Sequence, residues 1–284
     1  MSFLTDPINW WIDPFTSTTM RSALLAALLA VVCTSLVGTW VVIRGMSFFG
    51  EALSHGVLPG VAVAYTVGFS TTLGAFVAAG AMVALMKIIR ARSPLPDDTT
   101  IGILFAGFLS LAVVIMSKGG SYAGDLTDFL FGSITTISSG DLIKQAVAAA
   151  LVLVVVVVFY RPLLALTFDE TLAKLLGMRP ALTHATLLGL LAIAVVASFE
   201  TIGNLLVVAF LIAPPSAAAL LIRRVPYIMI GSIVIGSVAV IVGLLVSYHY
   251  STAPGATMSL MAVCSFLLAL VANSLRRSPL RRVV

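Results

Sequence analysis

The sequence predicts an all-α protein that crosses a membrane several times, and its composition is the main observation behind this prediction. Hydrophobic residues occupy 60% of the 284 positions and charged residues only 10%. Soluble domains, by comparison, are roughly 45–50% apolar and roughly 25% charged. The mean hydropathy of +1.15 is more than a soluble chain of this length could bury. We therefore expect a polytopic membrane protein.

Long uncharged runs divide the chain into nine candidate spans, because about 20 helical residues cross the hydrocarbon core. Residues 52–86 must hold two spans, with a break near 68–72, and residues 225–275 must hold two more, with a break at 248–255. Eight spans are the alternative if one weak segment is re-entrant. The short apolar stretch 126–137 is predicted to be a half-helix that enters from outside. The remaining predicted spans are residues 22–43, 99–117, 142–160, 180–199 and 201–222.

The distribution of Lys and Arg predicts which side of the membrane each loop faces, because cytoplasmic loops carry the excess of these residues. With the N-terminus outside, all but three of the 16 basic residues fall in inner loops or in the C-terminal tail. We therefore expect an outer N-terminus and a cytoplasmic C-terminus in a single transmembrane domain, residues 1–284. Residues 1–20 are predicted to be an interfacial segment, 163–179 a charged inner loop, and 276–284 a basic tail.

Ionisable side chains inside hydrocarbon are costly, and they are therefore functional candidates. Glu51 and His55 stand four positions apart near the start of the second predicted span, so an α-helix places both on one face. A carboxylate and an imidazole form a mixed oxygen and nitrogen ligand pair, which suits Mn²⁺, Fe²⁺ or Zn²⁺. A buried pair that only fixes helix packing is the alternative. Glu200 and His184 lie near span ends and are expected to be interfacial.

Pro59 is expected to break the helix that carries this pair, because its ring removes the amide hydrogen that would bond the carbonyl of His55. Gly56 and Gly60 are expected to remove side-chain bulk at the same depth. Broken helices near the midplane commonly form the substrate sites of transporters. Since one chain offers too few ligands for a tight cage, we expect a homodimer whose two-fold axis brings two copies of the pair together.

The inner loop between the fifth and sixth predicted spans is expected to contain a short helix. Thr167 is its predicted N-cap, with Glu170 at the capping-box distance. Gly177 is a natural stop, and Pro180 begins the next span. The apolar face of this helix either docks in a groove on a cytoplasmic partner or lies on the bilayer. That face consists of Phe168, Leu172, Leu175 and Leu176.

Several other chemistries find no support in the sequence. There is no G-x-x-x-x-G-K-[ST] motif, so ATP-driven work would need another subunit. Cys33 and Cys264 lie in apolar runs without metal-binding spacing. The net charge of +5 comes from basic residues between apolar runs, which are topology signals rather than a nucleic-acid surface. His249 is expected to be an interfacial polar residue of an outer loop. We expect a membrane protein that is not an enzyme.

Three further stretches of sequence join the Glu51–His55 segment in matching a known family pattern. Residues 37–60 read VGTWVVIRGMSFFGEALSHGVLPG, in which a small residue, an acid, Ala, an apolar residue, Ser and His precede Leu-Pro-Gly. Residues 130–133 (LFGS), the 168–177 loop and residues 207–215 (VVAFLIAPP) match as well. With these segments the chain resembles, from residue 15 to residue 277, the membrane permeases of bacterial ATP-binding-cassette importers for manganese, zinc and iron.

The resemblance implies an importer of the bacterial plasma membrane. It would contain two permease copies, two cytoplasmic ATPase subunits and an external metal-binding protein. Glu51 and His55 correspond to the family's metal contacts, although many relatives carry Asp where this chain has the longer Glu51. The transported ion is expected to be Mn²⁺ or Zn²⁺, with Fe²⁺ third, and no cofactor is permanently bound. The 168–177 loop corresponds to the coupling helix that contacts the ATPase. The residues assigned to it are Phe168, Asp169, Glu170, Leu172, Leu175 and Gly177.

Other functions remain compatible with the residues themselves. A gradient-driven secondary metal transporter or channel would need the same buried carboxylate but no ATPase, so co-purification of a nucleotide-binding subunit distinguishes it. A structural or assembly protein would use Glu51 and His55 for packing only and would fail a metal-binding assay. Permeases for siderophores or cobalamin carry bulky chelates and have no need of a ligating pair.

Overall fold

The structure, a computed structural model, describes residues 10–11, 13–93, 95–117, 137–175 and 177–276. All regular secondary structure in these residues is helical, as the composition predicts. Within them, a short 3-10 turn precedes twelve α-helices. The turn is Asp13–Thr16, and the helices are α1 Thr18–Ile43, α2 Ser47–Gly56, α3 Leu58–Val67, α4 Thr71–Arg92, α5 Asp97–Met116, α6 Ser139–Val158, α7 Tyr160–Phe168, α8 Glu170–Leu175, α9 Pro180–Ile202, α10 Asn204–Leu221, α11 Val225–Tyr250 and α12 Pro254–Arg276.

Seven helices in the described residues are long and apolar enough to cross a membrane, namely α1, α4, α5, α6, α9, α11 and α12. This supports a multi-span helical membrane protein. The apolar part of α10, Leu206–Leu221, is shorter, and the second predicted span is divided between α2 and α3. The total of nine spans and the sides on which the termini lie stay predictions. Residues 126–136 of the predicted half-helix lie outside the described residues.

The second predicted span is interrupted where Pro59 predicts an interruption. Helix α2 ends at Gly56, and α3 begins at Leu58 with Pro59 in its first turn. Proline is tolerated there because the first helical residues have no intrahelical partner for their amide hydrogens. Val57 joins the two helices, and its amide still donates to the carbonyl of Leu53 at 3.2 Å. The candidate ligand pair therefore lies on α2 just before the interruption.

The predicted junction between the sixth and seventh spans is wrong by one turn. The uncharged runs place it at Glu200, but α9 continues through that residue to Ile202. The break falls at Gly203, whose φ of 79° and ψ of 158° lie in a region essentially restricted to glycine. A charged residue can be carried on the last turn of a helix, whereas this backbone conformation ends it. Helix α10 begins at the next residue, Asn204.

Helix α1 lies at the centre of the bundle and packs against α6, α9, α10 and α11. In its most apolar window 72% of the residues are buried, against 22–50% for the other six long helices. Its approach to α10 is closest at Gly38, where a Cβ atom would overlap the carbonyl oxygen of Leu211. Pro215, four residues after Leu211, offers that carbonyl no amide hydrogen. Gly38 thus lets α1 approach α10 at the position where Pro215 interrupts the backbone hydrogen bonds of α10.

Trp10 and His249 tie the N-terminal segment to the last turn of α11. Their rings are stacked, with centroids 4.4 Å apart and an interplanar angle of 5°. The Nε2 atom of His249 also lies 3.0 Å from the carbonyl oxygen of Trp10. Aromatic packing therefore holds this segment against the bundle.

Substitution of Gly38 by alanine is expected to destabilise the folded protein by about 1–3 kcal/mol, because the new methyl group overpacks the contact with Leu211. Gly102→Ala is the matched control, since Gly102 lies in α5 with open space at its Cβ position. The thermal midpoint of each detergent-purified variant, read from loss of the monodisperse chromatographic peak, measures the difference. Equal midpoints would contradict this packing.

Candidate metal site and partner-docking surface

Helix α2 carries both candidate ligands on one face. Glu51 and His55 are one turn apart, and each is half-buried. Phe49 and Leu53 lie across the helix from them and are fully buried. The helix packs against α5, α9 and α10. Burial of its apolar side fixes the rotation of α2, so the carboxylate and the imidazole are presented together on its less covered side.

The imidazole of His55 is held by contacts from two other helices. Its Nδ1 atom lies 3.0 Å from the side-chain amide nitrogen of Asn204, at the start of α10. Its ring also meets the ring of Phe105 on α5 edge to face, with centroids 5.3 Å apart. A hydrogen bond and an aromatic contact therefore orient the ring. Since the first engages Nδ1, a cation could reach the ring only at Nε2, and only when the ring hydrogen is on Nδ1.

Asn204 contacts the candidate ligand His55, and reasoning from the sequence missed it. It is fully buried, at 0% exposure, and it is the first residue of α10. Its Oδ1 atom has no hydrogen-bond partner in the described part of the chain. It lies within the predicted span 201–222, and because it is not ionisable, the cost of burying a charge does not mark it as a candidate. The available signal was a neutral carboxamide inside a membrane segment, where polar side chains commonly bond across helices.

The two glycines expected to remove bulk near His55 face helix α4. Gly60 lies against Gly74, and a Cβ atom on either residue would overlap the other's carbonyl oxygen. Gly56 faces the sulfur atom of Met82. These positions bring α4 close to α2 and α3, so both glycines serve helix packing beside the site.

One copy of the chain offers two candidate ligands at this position, Glu51 and His55. Among the described residues, no group of three or more His, Cys, Asp or Glu side chains comes together. A divalent transition metal commonly takes four or more ligands. An ion bound at this position would therefore need further ligands from water, backbone carbonyls, a neutral side chain or a second copy of the chain.

The other two ionisable candidates lie at the ends of α9. His184, in its second turn, lines a cavity of about 270 Å³ together with Arg44 and Asp98. A helix rises about 1.5 Å per residue, so His184 lies roughly 30 Å along α9 from the Gly203 break. The backbone of Glu200 belongs to the last turn of α9, and its side chain lies outside the described part of the structure.

The predicted N-cap of the short inner helix is wrong. Thr167 lies inside α7, where its hydroxyl donates to the carbonyl of Leu163 at 2.7 Å. Asp169 separates α7 from α8 and accepts the amide hydrogen of Thr171 through Oδ1, also at 2.7 Å. The apolar residues before Thr167 extend α7 through it, so the first side chain placed to cap α8 is that of Asp169.

The predicted end of the same helix is confirmed. Gly177 has a φ of 73°. Its amide donates to the carbonyl of Lys174, and the amide of Met178 donates to that of Ala173, both at 3.0 Å. This pair of hydrogen bonds is the Schellman motif, which favours glycine at the left-handed position. Helix α9 then begins at Pro180, as predicted.

Two large apolar side chains are exposed on either side of the Asp169 cap, namely Phe168, the last residue of α7, and Leu175, the last residue of α8. Phe168 is 74% exposed and Leu175 is 80% exposed, whereas Ala173 is buried and α8 packs against α7 and α9. We call Phe168 and Leu175 the α8 face. The side chains of Glu170 and Leu172 lie outside the described part of the structure. Exposed apolar groups at this position suit both predicted roles of the surface, which are docking a cytoplasmic partner and lying on the bilayer.

A multi-span helical bundle with a ligand pair beside a helix break, and with an exposed helix between spans, has the architecture of a transport permease. The sequence model described as the ABC 3 transport family matches residues 16–273. The chain belongs to this family. It is therefore the permease component of an ATP-binding-cassette transporter and a multi-pass protein of the bacterial inner membrane.

Individual relatives cover most of the chain. The manganese transport system membrane protein MntC of Halalkalibacterium halodurans is 35% identical over 250 residues, which are 88% of this chain and 86% of that protein. A probable iron transport system membrane protein of Haemophilus influenzae is 32% identical over 269 residues, covering 94% and 98%. The structure of PsaBC from Streptococcus pneumoniae in complex with Fab superposes with a TM-score of 0.85 at 31% identity, covering 93% of this chain and 95% of that chain.

Proposed function

We propose that this chain is the membrane permease of an ATP-driven importer that carries a divalent transition-metal ion into the cytoplasm. The observation that carries the proposal is the Glu51–His55 pair, half-buried on one face of a helix that ends at the next residue. Relatives named for manganese and for iron support this class of cargo. The permease is not itself an enzyme, and the ion is cargo rather than a resident cofactor.

Two copies of the chain complete the proposed site. A two-fold axis beside α2 would line the ion path with two carboxylates and two imidazoles. The charge of a divalent ion is costly in a low-dielectric medium, and the two carboxylates offset it. Neutral imidazoles, together with water or backbone carbonyls, complete its coordination shell. Because Glu51 and His55 are only half-buried in one copy, they are open to such a partner.

Mn²⁺ is the cargo that we propose first, followed by Zn²⁺ and then Fe²⁺. Sites built of nitrogen, oxygen and sulfur generally bind Zn²⁺ more tightly than Mn²⁺, so affinity alone would select against manganese. Selectivity must instead come from ligand type and geometry. Oxygen donors suit Mn²⁺, and Glu51 supplies one from each copy of the chain.

The energy source is proposed to be a pair of cytoplasmic ATPase subunits that dock on the α8 face. The docking contact would include Asp169, which caps the helix, with Glu170, Leu172 and Gly177. Helix α8 packs against α7 and leads directly into α9. Closure of the ATPases can therefore be passed from α8 into the membrane bundle. An external metal-binding protein would deliver the ion at the opposite side of the membrane.

Removal of either ligand is expected to stop uptake. Glu51→Gln and His55→Ala should each lower the initial rate of metal uptake by more than tenfold, because the ion loses a charged or nitrogen ligand. Ser54→Ala is the matched control on the same helix, since the Ser54 hydroxyl only bonds the carbonyl of Gly50 at 3.0 Å. Uptake is measured in proteoliposomes that hold equal amounts of assembled complex. Wild-type rates in both ligand variants would reject the site.

The choice of ion is tested by competition in the same reconstituted complex. Radioactive Mn²⁺ uptake is measured while unlabelled Mn²⁺, Zn²⁺ or Fe²⁺ is added, the last under reducing conditions. The amount of each metal accumulated in the vesicles is measured in parallel by elemental analysis. We expect Mn²⁺ to be accumulated fastest. Zn²⁺ is expected to inhibit Mn²⁺ uptake by occupying the site, but to be accumulated more slowly than Mn²⁺. Equal or faster accumulation of Zn²⁺ would assign the importer to zinc.

Acidic substitutions on the α8 face are expected to uncouple transport from hydrolysis. The double variant Phe168→Asp, Leu175→Asp places two charges on exposed apolar positions and should abolish ATP-dependent uptake. The double variant Phe168→Leu, Leu175→Met keeps the surface apolar and should retain uptake. ATPase activity and complex assembly are measured beside transport. Coupled uptake in the acidic variant would reject this docking surface, and uptake without ATP would favour a gradient-driven transporter.

A further inference from the structure

Asn204 presents an unusual combination of complete burial and incomplete hydrogen bonding. Its side chain is 0% exposed. One of its two amide atoms, Nδ2, contacts His55 Nδ1 at 3.0 Å, and the other, Oδ1, has no partner among the described residues. An unpaired carboxamide oxygen is expensive to bury, so a residue that serves packing alone would be better replaced by an apolar one of the same shape.

The backbone is arranged to bring this carboxamide to the imidazole. Gly203 adopts a conformation essentially restricted to glycine, with φ 79° and ψ 158°, and α10 starts at the next residue. Asn204 and His55 are 149 positions apart and belong to different helices. Phe105 meets the same imidazole from α5, with ring centroids 5.3 Å apart. The imidazole is thus held in a fixed orientation, with Nδ1 directed at the carboxamide.

This geometry constrains the hydrogen on the imidazole. A neutral imidazole carries one hydrogen, and a cation can bind only the nitrogen that lacks it. With Nδ1 directed at Asn204, a cation must bind Nε2, and the hydrogen must then be on Nδ1. Metal-binding histidines almost always donate that hydrogen to an oxygen acceptor. In the orientation of the structure Nδ2 donates to Nδ1, which leaves the hydrogen on Nε2 and closes the ring to cations.

A half-turn of the carboxamide exchanges Oδ1 and Nδ2 with almost no change in shape. We propose that Asn204 is the positioning residue that selects the tautomer of His55. When a cation is bound, Oδ1 accepts the hydrogen on Nδ1, so the Nε2 lone pair is available to the ion. When no ion is bound, Nδ2 donates to Nδ1. The inference rests on the proposed function in one respect, namely that His55 binds the transported cation.

Two substitutions with the same number and branching of side-chain heavy atoms as asparagine separate the possible roles of Asn204. Asn204→Leu keeps this branched shape but offers no hydrogen-bonding group. Asn204→Asp offers only acceptors and so mimics the cation-binding orientation of the carboxamide. In the purified permease–ATPase complex we expect Asn204→Leu to weaken Cd²⁺ or Mn²⁺ binding by about 10–100-fold, the usual loss for such a partner of a metal-binding histidine. Asn204→Asp should bind at least as tightly as the wild-type protein.

The negative charge that Asn204→Asp adds is controlled by repeating the comparison in a His55→Ala background. If the substitution acts through His55, it will not restore cation binding there, and the double-mutant cycle will show coupling between the two positions. Equal gains from Asn204→Asp with and without His55 would overturn the inference. If His55→Ala alone leaves cation binding unchanged, the proposed function fails. If His55→Ala abolishes binding and Asn204→Leu changes nothing, only the role of Asn204 fails.

Nitrogen chemical shifts of the imidazoles provide a readout that a purely structural role would not change. The chain contains three histidines, so ¹⁵N-histidine labelling with His55→Ala as the assignment control identifies the ring. With diamagnetic Cd²⁺ bound, the wild-type His55 should carry its hydrogen on Nδ1. Without the ion, the hydrogen should be on Nε2. A ring that keeps one tautomer in both states, or that binds Cd²⁺ through Nδ1, would overturn the inference even if Asn204→Leu fails to fold.

Discussion

The structure depends on one physical constraint, which is that polar groups in a membrane must find partners within the protein. Backbone groups meet it by forming helices, and buried side chains meet it by bonding across helices. Gln145 of α6, for example, donates to Ser198 of α9 at 3.1 Å. The constraint is relaxed at the Pro59 and Gly203 breaks and at the carboxamide of Asn204. Pro59 lies four positions after His55, and Gly203 comes directly before Asn204, which contacts His55, so both helix breaks adjoin the candidate site.

Much of the fold follows from local features of the sequence, and these features succeed or fail for identifiable reasons. Uncharged runs locate the long helices because charge is costly in lipid. Pro59 and Gly177 mark helix ends because their backbone properties act at their own positions. Two predicted helix boundaries are wrong, at Glu200 and at Thr167. Neither a charge nor a hydroxyl forces a helix to start or stop. The contact between Asn204 and His55 could not be predicted, since it joins residues 149 positions apart.

One helix links the two candidate functional regions of the chain. Helix α9 begins three residues after Gly177, where the α8 segment ends, and it finishes at Gly203, immediately before Asn204. It also packs against the central helix α1 and against α2, which carries the ligand pair. A rigid helix of this length transmits rotation or tilt from one end to the other. A movement of the α8 segment can therefore be passed along α9 to the candidate metal site, although the two lie at opposite ends of this helix.

The connection between α9 and α10 consists of the single residue Gly203. Most surface loops vary in length among homologues and accept insertions, because an exposed, flexible connection can accommodate extra residues. A connection of one residue cannot accommodate an insertion in this way. One inserted residue would turn the start of α10 by about 100° and carry Asn204 away from the imidazole. Homologous chains should accordingly vary in the length of other connections while this one keeps its length, and epitope tags or protease sites should be excluded from it.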